Sequence, residues 1–406
     1  MRDLVLILLL ATLPAAAADT IPSPSPAQRR VEMAKAVLEK QPDRFQAEND
    51  LAMALIGRAR ETADSSYYPQ AEAAISRSFQ LKPHNFEAAQ AHVALLVAEH
   101  RYDQALAEAK ILNHTTPDSV SVWGYMADAE EALGDYDEAA GAAQWMLTLR
   151  RGNVPGLLRA AALREDWGDI DGAADLLDKA LEDTPAFETE QTAWILTGLA
   201  RLSRVNGKLD TAEALLKRAL QSFPDYYASL EELARLRTAQ NRNGEAVEAL
   251  EKRNAHFASS ESLYLLGMAL ERAGQPQEAQ VAFSSFEQTA RQRIDQADND
   301  NRDLILYYAD QRHQPAEALR IAKIEVDRRH DVRTLDAYAW ALYRGGEYAE
   351  ARREIDTALA VGTHEVDVFR HAAAISTALG DKDAADRELR QALDLNQNTQ
   401  ASGTMP

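Results

Sequence analysis

The sequence contains no cysteine among its 406 residues. This absence excludes disulfide bonds, thiolate metal sites and cysteine nucleophiles, and it fits an oxidising compartment in which a stray thiol is a hazard. The common catalytic motifs are also missing: there is no glycine-rich phosphate loop, no Gly-x-Ser-x-Gly turn and no His-Glu-x-x-His helix. We therefore expect a protein without enzymatic activity and without a cofactor.

Positive charge is scarce as well. The chain has 44 Lys and Arg against 64 Asp and Glu, which gives a net charge of −20. An acidic exterior repels phosphate backbones, so we expect no nucleic-acid partner. The charge serves solubility in the simplest interpretation, and attraction to basic partners is the alternative. His92 and His100 have no third ligand nearby, so they are interpreted as polar surface groups and no metal site is predicted.

Long apolar runs are absent except near the N-terminus. Residues 4–13 are apolar and follow Arg2, but they are half of the roughly twenty residues that a membrane helix needs. Ala16 and Ala18 stand where a signal peptidase reads, so residues 1–18 are predicted to be a signal peptide cleaved before Asp19. We expect export to the periplasm, with secretion as the alternative, and a mature chain without a membrane segment.

Alanine, by contrast, recurs at a nearly constant interval of 33, 34 or 39 residues. In six places the alanine closes a six-residue segment that begins with glycine, as in 134–139. Glycine adopts the positive φ that ends one helix, and the acidic residues after it suit the N-terminus of the next. Each segment therefore predicts a helix-turn-helix corner, in which a small alanine lets the two helices cross closely. The ten corner alanines are Ala71, Ala105, Ala139, Ala173, Ala212, Ala246, Ala279, Ala318, Ala351 and Ala385.

A period near 34 fits a pair of helices, and other residues recur at fixed offsets from the corner alanine. The seventh copy of the unit shows this pattern best, with Leu263, Leu266, Gly267, Leu270, Ala279 and Phe283. In these positions the chain resembles the tetratricopeptide repeat family. The resemblance implies an all-α, right-handed α-solenoid of about ten helix-turn-helix units over residues 43–396. Two copies deviate: the first has an unusual corner at residues 60–68, and the eighth has Leu306 at a position that is normally small.

The segments around the array are predicted from their composition. Residues 19–26 form a stiff Pro/Ser-rich linker, and 27–42 form an N-terminal helix that caps the apolar end of the stack. Residues 397–406 are polar and are predicted to be a disordered tail. Insertions at 186–192 and 295–303 cause the two spacings of 39, and they either bend or divide the array or lengthen a helix by one turn.

The resemblance also implies where a partner binds, because first helices of the family line a concave groove through their second, fifth, ninth and twelfth positions. Counted from the corner alanines, these positions hold Arg201 and Arg204 in the fifth copy and Arg235 in the sixth. They predict a docking site for a carboxylate or another anion. The alternative is that the arginines pair with acids on neighbouring helices, namely Glu165, Glu231 and Glu232.

Aromatic side chains occupy the same positions further along the chain. Tyr264, Tyr307, Trp340 and Tyr343 are interpreted either as binding anchors on the groove wall or as core residues, and the sequence leaves both open. The resemblance thus predicts a non-enzymatic scaffold that binds a peptide or protein partner, and the leader favours the assembly or organisation of a cell-envelope complex. A periplasmic spacer or adaptor of a polysaccharide-export or secretion system is the alternative.

Overall fold

The computed structural model describes residues 24–255, 258–299 and 301–401, with side chains as far as residue 395. Helices connected by short turns make up these ranges, and no strand occurs within them. The predicted signal peptide, residues 19–23 of the linker and residues 402–406 of the tail lie outside the described residues. The helices are α1 Pro26–Lys40, α2 Phe45–Thr62, α3 Tyr68–Leu81, α4 Phe86–Ala98, α5 Tyr102–Thr115, α6 Val120–Ala132, α7 Tyr136–Leu149, α8 Val154–Asp166, α9 Ile170–Asp183, α10 Thr189–Val205, α11 Leu209–Ser222, α12 Tyr227–Ala239, α13 Asn243–Asn254, α14 Ser260–Arg272, α15 Pro276–Gln292, α16 Arg302–Leu306, α17 Pro315–Val326, α18 Val332–Arg344, α19 Tyr348–Ala360, α20 Val366–Leu379 and α21 Lys382–Ala401.

Helices α2 to α21 pair into ten helix-turn-helix units, one for each predicted copy. In every copy the corner alanine is the fourth residue of the second helix, and in the first nine copies it is at most 1% exposed. The predicted all-α solenoid is therefore confirmed. The last helix continues to Ala401, five residues beyond the predicted end of the array.

The first helix, α1, covers the free end of the stack. Val31 of α1 packs in one apolar cluster with Ala52 and Leu55 of α2. The buried carboxylate of Glu61 accepts a hydrogen bond of 2.8 Å from the backbone N–H of Ala27, at the N-terminus of α1. A negative charge at this end of a helix is stabilising, so Glu61 fixes the cap to the first copy.

Both insertions lengthen helices, as one of the two sequence interpretations proposed. α10 and α15 each have 17 residues, whereas α8 and α9 have 13 and 14. The second insertion also adds a loop at residues 293–301. Apolar clusters continue from the fourth copy into the fifth and from the seventh into the eighth, so neither insertion divides the array.

The eighth copy is irregular in its first helix. α16 has only five residues and passes into a π-helix, Tyr307–Gln311, in which the N–H of Arg312 donates to the carbonyl oxygen of Tyr307 at 2.9 Å. A π turn contains one more residue than an α turn, so it rotates the side chains that follow it around the helix axis. The copy that deviates in sequence thus also deviates in helix geometry.

The array winds far enough for copies six apart to touch along one edge, which we call the corner seam. The N–H of His330 donates to the carbonyl oxygen of Ala132 at 2.9 Å, and the N–H of Val332 donates to the Tyr136 hydroxyl at 3.1 Å. Corners of the third and fourth copies therefore rest on the loops that precede the ninth and tenth copies.

A second contact, the insertion seam, joins the start of the chain to the two insertions. Arg60 in the first copy pairs with Glu190 in the added turn of α10 at 2.6 Å, and Arg30 of α1 pairs with Glu188. Ser65, in the unusual first corner, accepts a hydrogen bond of 3.4 Å from Arg293, in the loop that the second insertion adds. The unusual first corner thus contacts the regions of both insertions.

Glycine at the corner seam permits the close approach of two backbones. A Cβ atom on Gly168 would lie 2.7 Å from the carbonyl oxygen of Gly362, whereas a Cβ atom on Gly274 would meet no atom within 4 Å. Both glycines have positive φ, +73° and +76°. Both glycines therefore end a helix, but only Gly168 contacts the backbone of a distant copy.

Replacing Gly168 with alanine is predicted to open the corner seam. We expect Gly168→Ala and Gly274→Ala each to cost about 1 kcal/mol through strain at positive φ. Only Gly168→Ala also forces two backbones apart, so it alone should increase the radius of gyration measured by small-angle X-ray scattering. Equal scattering curves for the two variants would show that the corner seam does not hold the turns together.

Candidate binding chamber

The coiled array encloses a cavity of about 1060 Å³, which we call the chamber. Helices α1, α2 and α4 form one wall, and residues near the start of α12 and α14 and after α15 form the opposite wall. A second cavity of about 510 Å³, lined by α6, α8 and α10, adjoins it. The two cavities have Arg60, Tyr125, Asp128 and Arg159 in common as lining residues, so they lie side by side.

Many lining residues of the first four copies stand at the predicted inner-wall positions. Residues three or four apart share one face of a helix, so the second, fifth, ninth and twelfth positions of a copy point the same way. Other lining residues, such as Ala54, Tyr125 and Arg159, stand beside these positions. The residues at the predicted positions are Met53, Ile56, Arg60 and Ala63 in the first copy, Ala94 and Val97 in the second, Ser121, Gly124, Asp128 and Glu131 in the third, and Pro155, Leu158 and Ala162 in the fourth.

The wall formed by α1, α2 and α4 is mainly apolar. Met33 of α1 and Met53 of α2 line the chamber and are 70% and 42% exposed. Ile56 and Val97 stand beside them. Unbranched, polarisable methionine side chains adapt to ligands of different shape, so this wall suits varied apolar groups.

Elsewhere the chamber lining carries charges that are already paired. The Arg253 Nε atom lies 2.9 Å from a Glu231 carboxylate oxygen, and both residues are buried. Arg159 pairs with Asp128 at 2.5 Å and also donates to the carbonyl oxygen of Gly124 at 2.8 Å. Since these arginines already have carboxylate partners, they fix the chamber wall rather than attract an anion.

Burial also raises the pKa of side chains at and behind the chamber wall. Desolvation and the neighbouring carboxylate of Glu261 raise the pKa of Glu231 to about 7, although Arg253 lowers it. Burial raises the pKa of Tyr125 to about 12, so its phenol remains protonated at neutral pH. Tyr125 therefore offers a neutral hydrogen-bonding group beside the paired ions.

The described residues were also compared with the requirements of metal sites and of membrane-spanning helices. In the part that the structure describes, no group of three His, Cys, Asp or Glu side chains is arranged to hold a metal ion. None of the described helices combines the length and hydropathy needed to cross a bilayer.

The three predicted arginines lie outside this chamber lining and form ion pairs. Arg201 contacts Glu165 at 2.6 Å, Arg204 contacts Glu232, and Arg235 is 3.6 Å from Glu261. Pairing with neighbouring acids was the alternative interpretation, and the structure shows it for the first two with the acids that were named. Glu231, the third named acid, pairs with Arg253 instead. Anion docking by these arginines stays a prediction.

Tyr307 is not on the groove wall, so its prediction as a partner-binding residue is wrong. It is 2% exposed and packs against Phe283 and Phe286, with ring centroids 5.6 and 5.4 Å away. The register was counted as if the eighth copy were a regular α-helix, and the π turn that begins at Tyr307 breaks that register. Tyr264 also packs on Phe286, at 5.1 Å, but is only partly buried.

Trp340 and Tyr343 form a half-buried aromatic stack on the inner side of the ninth copy. The Trp340 ring lies between Tyr343 and His371, at centroid distances of 4.8 and 4.0 Å. Its indole N–H donates to the Asp310 carboxylate at 3.0 Å. These contacts orient the stack and leave part of it exposed, so its role as a binding anchor stays a prediction.

Sequence reasoning missed much of the chamber, including Met33, Tyr68 and Tyr227. The register count could have selected Met53 and Ile56, because it assigns them to the second and fifth positions of the first copy. Met33 lies on the cap, where no corner alanine sets a register. Tyr227 reaches the chamber only because the array coils back on itself.

The helix-pair stack defines a repeat protein, and comparison with known families identifies the repeat. Three family models, each described as tetratricopeptide repeat, match residues 91–153, 206–269 and 261–289. These matches identify tetratricopeptide repeats in the chain, and such repeats are typical of scaffolds for protein interactions. No curated protein matches the sequence.

Solved structures share the fold at low sequence identity. The human IFIT1 dimer with PPP-AAAA is 14% identical, with 90% of this chain and 87% of that chain covered and a TM-score of 0.50. A tetratricopeptide repeat protein from Parabacteroides merdae is 17% identical, covers 59% of this chain and 93% of its own, and has a TM-score of 0.43. PilW, a type IV pilus biogenesis factor, is 20% identical, with coverages of 50% and 92% and a TM-score of 0.43.

The arginine pairs predict unequal losses of stability. Arg204→Ala leaves the Glu232 carboxylate buried without its partner, so we expect a loss of about 3 kcal/mol in the free energy of unfolding. Arg201→Ala removes a more exposed pair and should cost less than about 1 kcal/mol. Urea unfolding followed by circular dichroism measures both, and equal losses would contradict a structural role specific to Arg204.

Proposed function

We propose that the protein is a non-enzymatic scaffold of the cell envelope that holds an extended, mainly apolar peptide segment of a partner in the chamber. The carrying observation is that inner-wall positions of four successive copies, together with the cap, line two adjoining cavities. The larger cavity, of about 1060 Å³, slightly exceeds the roughly 300–1,000 Å³ of small-molecule pockets, which suits several residues of a peptide.

The character of the walls supports a peptide over a phosphate-rich ligand. The IFIT1 structure contains PPP-AAAA, and a triphosphate needs cations that are free to bind it. In the larger cavity here, every lining arginine has a carboxylate partner. Apolar peptide side chains would instead bury methionine surface without breaking an ion pair.

The rigid stack also favours binding. Core packing and the two seams hold the lining side chains before a ligand arrives, so little ordering entropy is lost by the scaffold. An extended segment lying along the inner wall meets equivalent positions of successive copies. Affinity would then accumulate from several similar contacts rather than from one deep site.

Negative charge on the apolar wall is predicted to abolish partner binding. The double variant Met33→Glu, Met53→Glu places two carboxylates where apolar side chains would be buried, which costs several kcal/mol without compensating hydrogen bonds. We expect partner capture from an envelope extract to fall at least about 10-fold. Quantitative mass spectrometry of the captured proteins measures the change.

The matched control is Val281→Glu, which adds a carboxylate at an exposed apolar position on α15 outside the chamber lining. It should leave capture unchanged, and both proteins should keep the helical circular dichroism of the wild type. Undiminished capture by the double methionine variant would exclude the chamber as the binding site.

The envelope location rests on the predicted leader and is tested separately. We expect the protein recovered from its own cells to begin at Asp19 and to appear in the periplasmic fraction, because a signal peptidase removes the leader during export. N-terminal sequencing of the fractionated protein measures this. An intact Met1 in the cytoplasmic fraction would contradict export without affecting the chamber.

A further inference from the structure

The fourth residue after each corner alanine is the position at which one copy packs on the next. From Ile75 in the first copy to Ile355 in the ninth, this residue is at most 4% exposed. In each case it belongs to an apolar cluster that contains residues from the first helix of the following copy. The equivalent residue of the tenth copy is Leu389, which is 48% exposed.

Leu389 belongs to a larger apolar surface at the end of the stack, which we call the terminal face. It consists of Leu379 at the end of α20 and of Ala385, Leu389 and Leu393 on α21. Leu379 and Leu393 are 44% and 46% exposed. Leu389 and Leu393 are four residues apart on one helix, so they point the same way. The terminal face therefore has the composition of a stacking surface without a following copy on it in the described chain.

The terminal face is held rigidly by polar contacts behind it. The Glu388 carboxylate accepts hydrogen bonds of 2.6 Å from Arg352 of α19 and 2.7 Å from Ser376 of α20. Glu388 is nearly buried, so these bonds fix α21 against the preceding helices. A preformed surface loses little entropy when it associates.

The charge around the terminal face is nearly balanced, although the chain carries −20 overall. Its exposed cations are Lys382, Arg387 and Arg390, and its exposed anions are Asp381, Asp383, Asp386 and Asp394. Two copies of a strongly acidic protein repel one another over most of their surfaces. At this face the near balance removes most of the net repulsion, and charges of opposite sign are available for pairing.

We propose that the terminal face is a homodimer interface, covered by the same face of a second copy so that α21 packs on α21 of its partner. A two-fold axis lets a surface cover itself, which is the commonest arrangement of soluble homo-oligomers. In this contact α21 of the partner takes the place that the first helix of a following copy takes elsewhere, and Leu389 gains the burial that its equivalents have. The dimer presents two chambers in one particle.

Sedimentation of the purified full chain over a concentration series tests the proposal. We expect the wild type to have twice the monomer mass, and Leu389→Glu, Leu393→Glu to have the monomer mass. Both leucines are exposed in the monomer, so the substitution should leave the helical circular dichroism unchanged. The control Val281→Glu, at an exposed site away from the terminal face, should stay dimeric.

The absence of native cysteine provides a second measurement that does not depend on the double variant folding. Leu393→Cys should form a disulfide-linked dimer under mild oxidation, whereas Val281→Cys should not. A monomeric wild type, an unchanged mass in the leucine variant, or equal cross-linking at the two cysteines would each overturn the proposal. If a helix from another protein covers the terminal face instead, the purified wild type is monomeric, which is the first of these outcomes.

Discussion

The close crossing of two helices at each corner alanine is the constraint on which the rest of the structure depends. A methyl group at this point fixes how near the helices approach, and nearly identical crossings in successive copies give nearly identical rotations between them. Small rotations accumulate in one direction, so the stack coils until distant copies meet. The chamber is therefore a product of many repeated local contacts rather than of one folded pocket.

The irregular parts of the repeat have a common role in this arrangement. The unusual corner of the first copy contacts the second insertion through Ser65, and the added turn of α10 supplies Glu188 and Glu190 to Arg30 and Arg60. A regular repeat presents the same edge at every copy and cannot specify which distant copies should meet. Deviations placed at particular copies do specify it, so the insertions set the closure of the coil.

Local features were predictable from the sequence, and features that depend on distant copies were not. The corner alanines and the inner-wall register follow from helical periodicity, which is encoded within each copy. Tyr307 was misplaced because one additional residue in a π turn breaks this periodicity without a strong local signal. The pairing of Arg204, left open as the alternative to anion docking, could be anticipated because Glu232 lies only one copy away. The wall that includes Tyr227 could not be predicted, because it forms only when the whole superhelix coils back on itself.

Under the proposed function, coil closure and ligand binding are coupled through the chamber, because its two walls come from different parts of the coil. A segment that contacts both Met33 on the cap and Tyr227 in the sixth copy binds the closed coil more tightly than an opened one. By linkage, such a ligand stabilises the seams, and stronger seams raise the affinity for the ligand. The corner seam consists of a few hydrogen bonds and close backbone contacts, while the copies themselves are joined by continuous apolar clusters. Opening of the coil breaks the contacts of the two seams and leaves every helix pair intact, so we expect it to require less free energy than unfolding a copy.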